Sequence, residues 1–276
     1  MAVTRRQIRR SVARMLSDYY EVTAVGGGPT QTTQVTDPTG LARESGFFNG
    51  MQLYFADEDS PNYGTIATVT NSDGPTRTIY FEPPIPTGVV DGETIELYNF
   101  RGRGTTVDQY NGAINDAISI ARDNHALIPH VVELDDPYNQ RIPQLTIPDS
   151  FASFAYIQFT DRRGYIHALR PQSVKVDRLT RTVSLLPRYT SGYHGLVPTI
   201  VGYAQPELLA SDDDETAIEV EWLYNEVKAQ ILERMLAAGM PVGSQDRLYL
   251  QERTEAGGKR PVILTRAASN TVRLLG

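Results

Sequence analysis

The chain has 276 residues, 40% apolar and 21% charged, a balance that excludes a disordered polymer and suits one large domain or two small ones. It has no cysteine, which excludes structural disulfides, thiolate zinc sites and cysteine nucleophiles. The net charge is −7, yet both ends are basic: Arg5, Arg6, Arg9, Arg10 and Arg14 stand against Asp18 alone, and Arg253, Lys259, Arg260, Arg266 and Arg273 outnumber Glu252 and Glu255. This asymmetry directs the ends toward an acidic partner, either nucleic acid or the acidic body of a neighbouring copy.

Residues 4–20 are expected to form a helix, with Ile8, Val12, Met15, Leu16 and Tyr19 on one apolar stripe and arginines over most of the rest. Thr4 and Gln7 have the spacing of a capping box. The arginines break up the apolar residues, so no secretory signal is read, and no run approaches the roughly 20 residues that span a bilayer.

Gly26-Gly27-Gly28-Pro29 and Asp37-Pro38-Thr39-Gly40 mark a break. The three glycines lack the Gly-Lys-Ser/Thr and following helix of a phosphate cradle. Residues 41–100 then read as β structure, with strands at 52–56, 64–70, 77–81 and 94–98 separated by turn clusters. Three prolines bar 82–86 from a central strand.

A second helix is expected over 105–124, capped by Thr105 or Thr106, with alanines and Gly112 on its packing face. Arg101-Gly102-Arg103-Gly104 before it reads as a loop rather than a phosphate contact. Strands at 155–160, 165–169, 173–177, 182–186 and 198–203 make a second β module, with Asp161-Arg162-Arg163-Gly164 as a hairpin turn.

Residues 214–238 form the third expected helix. Asp212, Asp213, Asp214 and Glu215 precede or open it, Trp222 anchors the core, and Gly239 and Pro241 end it. Beyond it, residues 251–276 read as an arm with two short apolar runs, Val262-Ile263-Leu264 and Val272–Leu275. An arm of this kind either stays mobile or binds across a neighbour, the usual route being a strand added to the partner's sheet edge.

The expected fold class is therefore α+β. A small bundle of three main helices carries two inserted antiparallel β modules and an extended C-terminal arm. The divisions fall at 1–20, 21–104, 105–128, 129–210, 211–250 and 251–276.

No enzymatic motif stands out. His125, His130, His167 and His194 include no i, i+4 pair and no His-Glu-x-x-His. Carboxylates cluster at Asp57-Glu58-Asp59, Asp135-Asp136 and 212–215, where loops or a helix start explain them. No Gly-x-Ser-x-Gly elbow or dinucleotide fingerprint occurs. The expectation is a non-enzymatic assembly protein with no cofactor and no metal.

The organisation resembles head-to-tail connector, or adaptor, proteins of tailed bacteriophages. The basic N-terminal helix, Phe47-Phe48-Asn49-Gly50-Met51-Gln52-Leu53-Tyr54, Arg77–Pro86, the alanine-rich helix Tyr110–Ala121 and the acidic-start helix carry the resemblance. It implies a dodecameric ring of copies in the virion neck that joins the portal protein to a tail, stopper or nozzle protein. It implies non-specific contact with packaged DNA and no membrane. The candidate interface is Arg5, Arg6, Arg9, Arg10, Arg14, Arg253, Lys259, Arg260, Val262, Ile263, Leu264, Arg266, Val272 and Leu274. A tail tube, terminator or baseplate subunit is the alternative within virions, and a carbohydrate- or receptor-binding protein the alternative outside that class.

Overall fold

The computed structural model describes residues 2–26, 31–99, 105–123, 126–139, 141–169, 173–186, 192–255 and 272–273. The chain opens with β1 (Val3–Thr4), α1 (Arg5–Met15), β2 (Tyr19–Thr23) and β3 (Gln34–Thr36). It continues with β4 (Gln52–Phe55), β5 (Ile66–Asp73), β6 (Thr78–Glu82), β7 (Thr94–Tyr98) and α2 (Val107–Asp123). Then come β8 (Ile128–Glu133), β9 (Gln144–Thr146), β10 (Ser153–Thr160), β11 (Ile166–Leu169), β12 (Val174–Asp177), β13 (Thr182–Leu185) and β14 (Pro198–Ala204). The last elements are β15 (Glu215–Thr216), α3 (Val220–Ala237), α4 (Ser244–Glu255) and β16 (Val272–Arg273).

The expected helix bundle with two inserted β modules is overturned. Among the described residues the architecture is mostly β, with strands in four sheets, a six-stranded half-barrel among them, and only four helices. The physical reason lies in what the helices pack against. α1, α2 and α3 share a core, but Tyr54 of β4 and Tyr98 of β7 complete it, so the apolar stripes do not close on one another alone. Two further cores lie wholly within the β regions.

The half-barrel runs β2-β7-β4-β5-β6-β3. Leu53, Phe55, Ile95 and Leu97 fill its interior, while the intervening Tyr54, Glu96 and Tyr98 are buried on the helix side. β4 and β7 are thus covered on both faces, which is why they carry few exposed positions.

Asp37 ties the two edge strands together. Its carboxylate accepts from the Thr23 N–H at 2.9 Å, across the seam, and from those of Thr39 and Gly40 at 2.8 and 2.9 Å. The Val25 N–H adds a bond to the Thr36 carbonyl. A β-carbon at Gly40 would overlap the Asp37 carboxylate, so glycine is required at that approach. Asp37→Ala strands three amide donors and is expected to cost about 2 kcal/mol. Urea denaturation should show a lower midpoint at unchanged slope.

The second β region holds a sheet of order β11-β10-β14-β8, with β16 beside β10, and a small sheet β12-β13-β9. At Gly202 a β-carbon would overlap the Ser153 carbonyl, which lets β10 and β14 approach closely beside a register shift between Phe154 and Tyr156.

The expected capping box is present: Thr4 accepts from the Gln7 N–H at 3.2 Å, and the Gln7 side chain accepts from the Thr4 N–H at 3.1 Å. α1 stops at Met15, however, and Tyr19 opens a strand. Residues 212–215 do not open a helix either. Asp212 is buried in a loop, and Glu215 and Thr216 pair with β1. α3 begins at Val220, and Trp222 is a half-buried flank of the core rather than its centre.

Candidate functional site

α1 turns Arg5, Arg6, Arg9 and Arg10 toward the body of the chain. Arg9 has no exposed surface, and its guanidinium uses all its donors. Nη1 and Nη2 grip Asp212 at 2.7 and 2.6 Å, Nη2 reaches Glu96 at 3.1 Å, Nη1 reaches Asn111 at 3.1 Å, and Nε donates to Tyr98 at 2.9 Å. The Tyr54 ring lies 4.7 Å below the guanidinium, and the Tyr54 hydroxyl donates to Asp212 at 3.0 Å.

The neighbouring arginines join the same two carboxylates. Arg5 pairs with Asp212 at 3.1 Å, and Arg6 and Arg10 reach Glu96 at 3.0 and 2.5 Å. Arg10 also pairs with Glu21 at 2.8 Å. Arg14, whose side chain is 59% exposed, lies 3.8 Å from Glu21 and against the Tyr19 ring. Helical spacing brings these residues together: Arg5, Arg6, Arg9 and Arg10 lie at i, i+1, i+4 and i+5, on a face adjoining the Ile8–Val12 stripe.

The loop at 212–214 also completes the helix start, since its carbonyls accept from the Arg5 and Arg6 N–H groups at 3.0 and 3.1 Å. Burial pushes the Asp212 carboxyl up, but the Arg9 hydrogen bond and charge outweigh it and hold the group below the usual carboxylate range. Glu96 follows the same pattern: burial opposes ionisation, and Arg9, Tyr98 and Arg10 overcome it. Burial likewise disfavours charge on Arg9, and Asp212 foremost restores it.

The acidic partner of these arginines is thus this chain's own body. Sequence reasoning considered nucleic acid and a neighbouring copy, and missed Glu96 and Asp212.

Of the other candidate residues, Arg253 lies on α4 and clasps both oxygens of Glu226 at 2.7 Å. Val272 is in β16, whose backbone pairs with Phe154 of β10. Lys259, Arg260, Val262, Ile263, Leu264, Arg266 and Leu274 lie outside the described residues, as do Arg101–Gly104, Gly27–Pro29 and His125.

Other expected chemistry is dispersed. His130 faces Ser150 at 2.9 Å, and His167 faces Asp161 at 3.2 Å, both exposed. Among the described residues no group of three or more His, Asp or Glu is placed to hold a metal ion. Glu58 meets Asp213, and that hydrogen bond raises the Glu58 carboxyl. Asp135 and Asp136 line a cleft of about 610 Å³ with Leu134, Ile142 and β9.

One exposed surface stands out by composition. On the outer face of the larger sheet, register sets Val131, Val201 and Tyr156 side by side across β8, β14 and β10. Ala168 and Ile166 extend this face onto β11. Val131 is 57% exposed and Ile166 64%. Tyr165, next to Ile166, is also exposed. No family model matches the chain, and no curated protein is significantly similar to it.

Proposed function

We propose that the chain is a structural, non-catalytic subunit of a tailed-phage virion, an adaptor that forms an oligomeric ring joining portal to tail. The observation that carries the assembly reading is the apolar outer face of the β8–β10–β11–β14 sheet. Val131 and Ile166 are exposed on this face, with Val201 and Tyr156 half-buried on the strands between them, and exposed apolar surface favours contact with other protein. The neck position rests on the resemblance in organisation. In this proposal DNA contact does not fall to Arg5, Arg6, Arg9 or Arg10, because each of them already pairs with a carboxylate within the chain.

A second reading within virions is a tail tube, terminator or baseplate subunit. Its support is the dominance of strands over helices.

Negative-stain imaging of the purified chain, alone and mixed with a portal, tests the proposal. Rings that seat on the portal support the adaptor reading, rings or tubes that ignore it favour the tail reading, and a monomer that persists both alone and with the portal argues against each. Val131→Glu combined with Ile166→Glu is expected to abolish assembly in sedimentation velocity. Both sites are exposed, so the unfolding free energy should shift by less than about 1 kcal/mol.

A further inference from the structure

The β12–β13 hairpin presents a leucine to solvent at its tip. Asp177 pairs with Thr182 across the base of the hairpin, and Arg178, Leu179, Thr180 and Arg181 make the turn between them. The Asp177 carboxylate accepts from the Leu179 and Thr180 N–H groups at 2.9 and 3.3 Å. The Arg181 guanidinium donates to the Pro148 and Phe151 carbonyls at 2.7 Å each, and the Arg181 carbonyl accepts from the Ile147 N–H at 2.8 Å. The turn is therefore fixed both from within and at its base. Leu179 is 97% exposed on it, and Arg178 beside it is exposed as well.

A single exposed leucine is ordinary on a protein surface. What distinguishes this one is the cleft beside β9, whose volume of about 610 Å³ is enough for two side chains. Leu134 and Leu145 line it half-buried, Ile142 is 64% exposed there, and Asp135 and Asp136 are exposed along it. The hairpin tip thus sets one apolar side chain next to a cation, and the cleft sets apolar side chains next to two anions. Among the described residues Arg178, Asp135 and Asp136 have no ion-pair partner. Leu179 lies outside the chain's own cleft, and the Asp177 and Arg181 bonds hold it there.

We infer that the Arg178–Leu179 knob of one copy seats in the β9 cleft of a second copy. Leu179 then packs against Leu134, Leu145 and Ile142, and Arg178 pairs with Asp135 and Asp136. A turn that is already fixed loses little freedom on docking, and the opposite charges set its orientation. Knob and cleft are different patches, so each copy can give one such contact and receive another, as a ring requires. The contact rests on the reading of the chain as a subunit that meets its own copies, but on neither the outer sheet face nor the neck position.

Charge reversal in the full-length protein tests it. Arg178→Glu, and separately Asp135→Lys with Asp136→Lys, sets like charges face to face whenever a variant meets itself. Each is expected to weaken self-association in sedimentation velocity by at least about tenfold. An equimolar mixture of the two variants restores opposite charges at every contact between unlike copies, so association should return to near the native strength. Leu179→Asp should also weaken association by at least about tenfold, while the urea midpoint stays in place because the side chain is almost wholly exposed. Native self-association in these variants, a mixture no stronger than its components, or a native chain that stays monomeric would overturn the proposal. Loss of assembly in the Val131→Glu, Ile166→Glu variant beside native association in the knob and cleft variants would reject this contact and leave the assembly reading standing.

Discussion

Arg9→Ala is expected to destabilise the fold by about 3–5 kcal/mol, the cost of removing one partner from a buried ion network. The change leaves Asp212 and Glu96 in a site from which water is excluded. Arg5, Arg6 and Arg10 remain, but they approach from the rim and lack Arg9's bidentate grip on Asp212. Arg14→Ala is the matched control. Its side chain is mostly exposed, its ion pair is long, and surface pairs of that kind are worth about 0–1 kcal/mol. Urea denaturation of the two variants decides the matter. Equal losses would mean that the arginines act as a diffuse basic surface rather than as a buried clamp. Neutralising all partners together, with Arg9→Met, Glu96→Gln and Asp212→Asn, should cost less than the sum of the single changes, because no unpaired charge is then left inside.

The same cluster explains what the sequence made legible and what it hid. The 3.6-residue period of Ile8 and Val12 and the Thr4–Gln7 box located α1, and both follow from neighbours along the chain. Arginines on the remaining face read as solvated because nothing within that segment can neutralise them. Their partners lie 87 and 203 residues away from Arg9, a separation that no local pattern spans.

A clue was nevertheless present in β4 and β7. Gln52-Leu53-Tyr54-Phe55 and Thr94-Ile95-Glu96-Leu97-Tyr98 offer bulky apolar or aromatic residues to both faces, which marks strands covered on two sides. Glu96 on such a strand had to be buried, and a buried carboxylate needs a cation. The acidic run at 212–215 misled for a different reason. Carboxylates suit a helix start through the macrodipole, but Asp212 gains more from two guanidinium groups than it would from a helix end. The error in fold class follows from the same locality. Periodicity identified helices and strands separately, and could not show that the helices rest on the outer face of a half-barrel.

Acid is expected to unfold the chain through these two carboxylates. Both are held below their ordinary values in the folded state. Their stabilisation is therefore present above the unfolded values, near about 4, and is lost as pH falls through the folded values. The arginines do not titrate in that range. Protonating Asp212 and Glu96 thus leaves the guanidinium groups of Arg5, Arg6, Arg9 and Arg10 crowded together without counter-charge. Repulsion among them adds to the lost attraction, so the acid limb should be steep. Asp161, Asp177 and Asp214 are also held low, chiefly by backbone N–H donors, but none of them is buried, so solvent screens them and their share is small. Stability should stay nearly flat from about pH 5 to 8 and fall steeply below about pH 4. The variant Glu96→Gln with Asp212→Asn separates this cause from general acid effects. It should be less stable at neutral pH and lose stability more gradually in acid. Urea midpoints measured stepwise from pH 7 to pH 3 give the comparison. Parallel acid limbs in the variant and the native chain would place the acid sensitivity outside the α1 cluster.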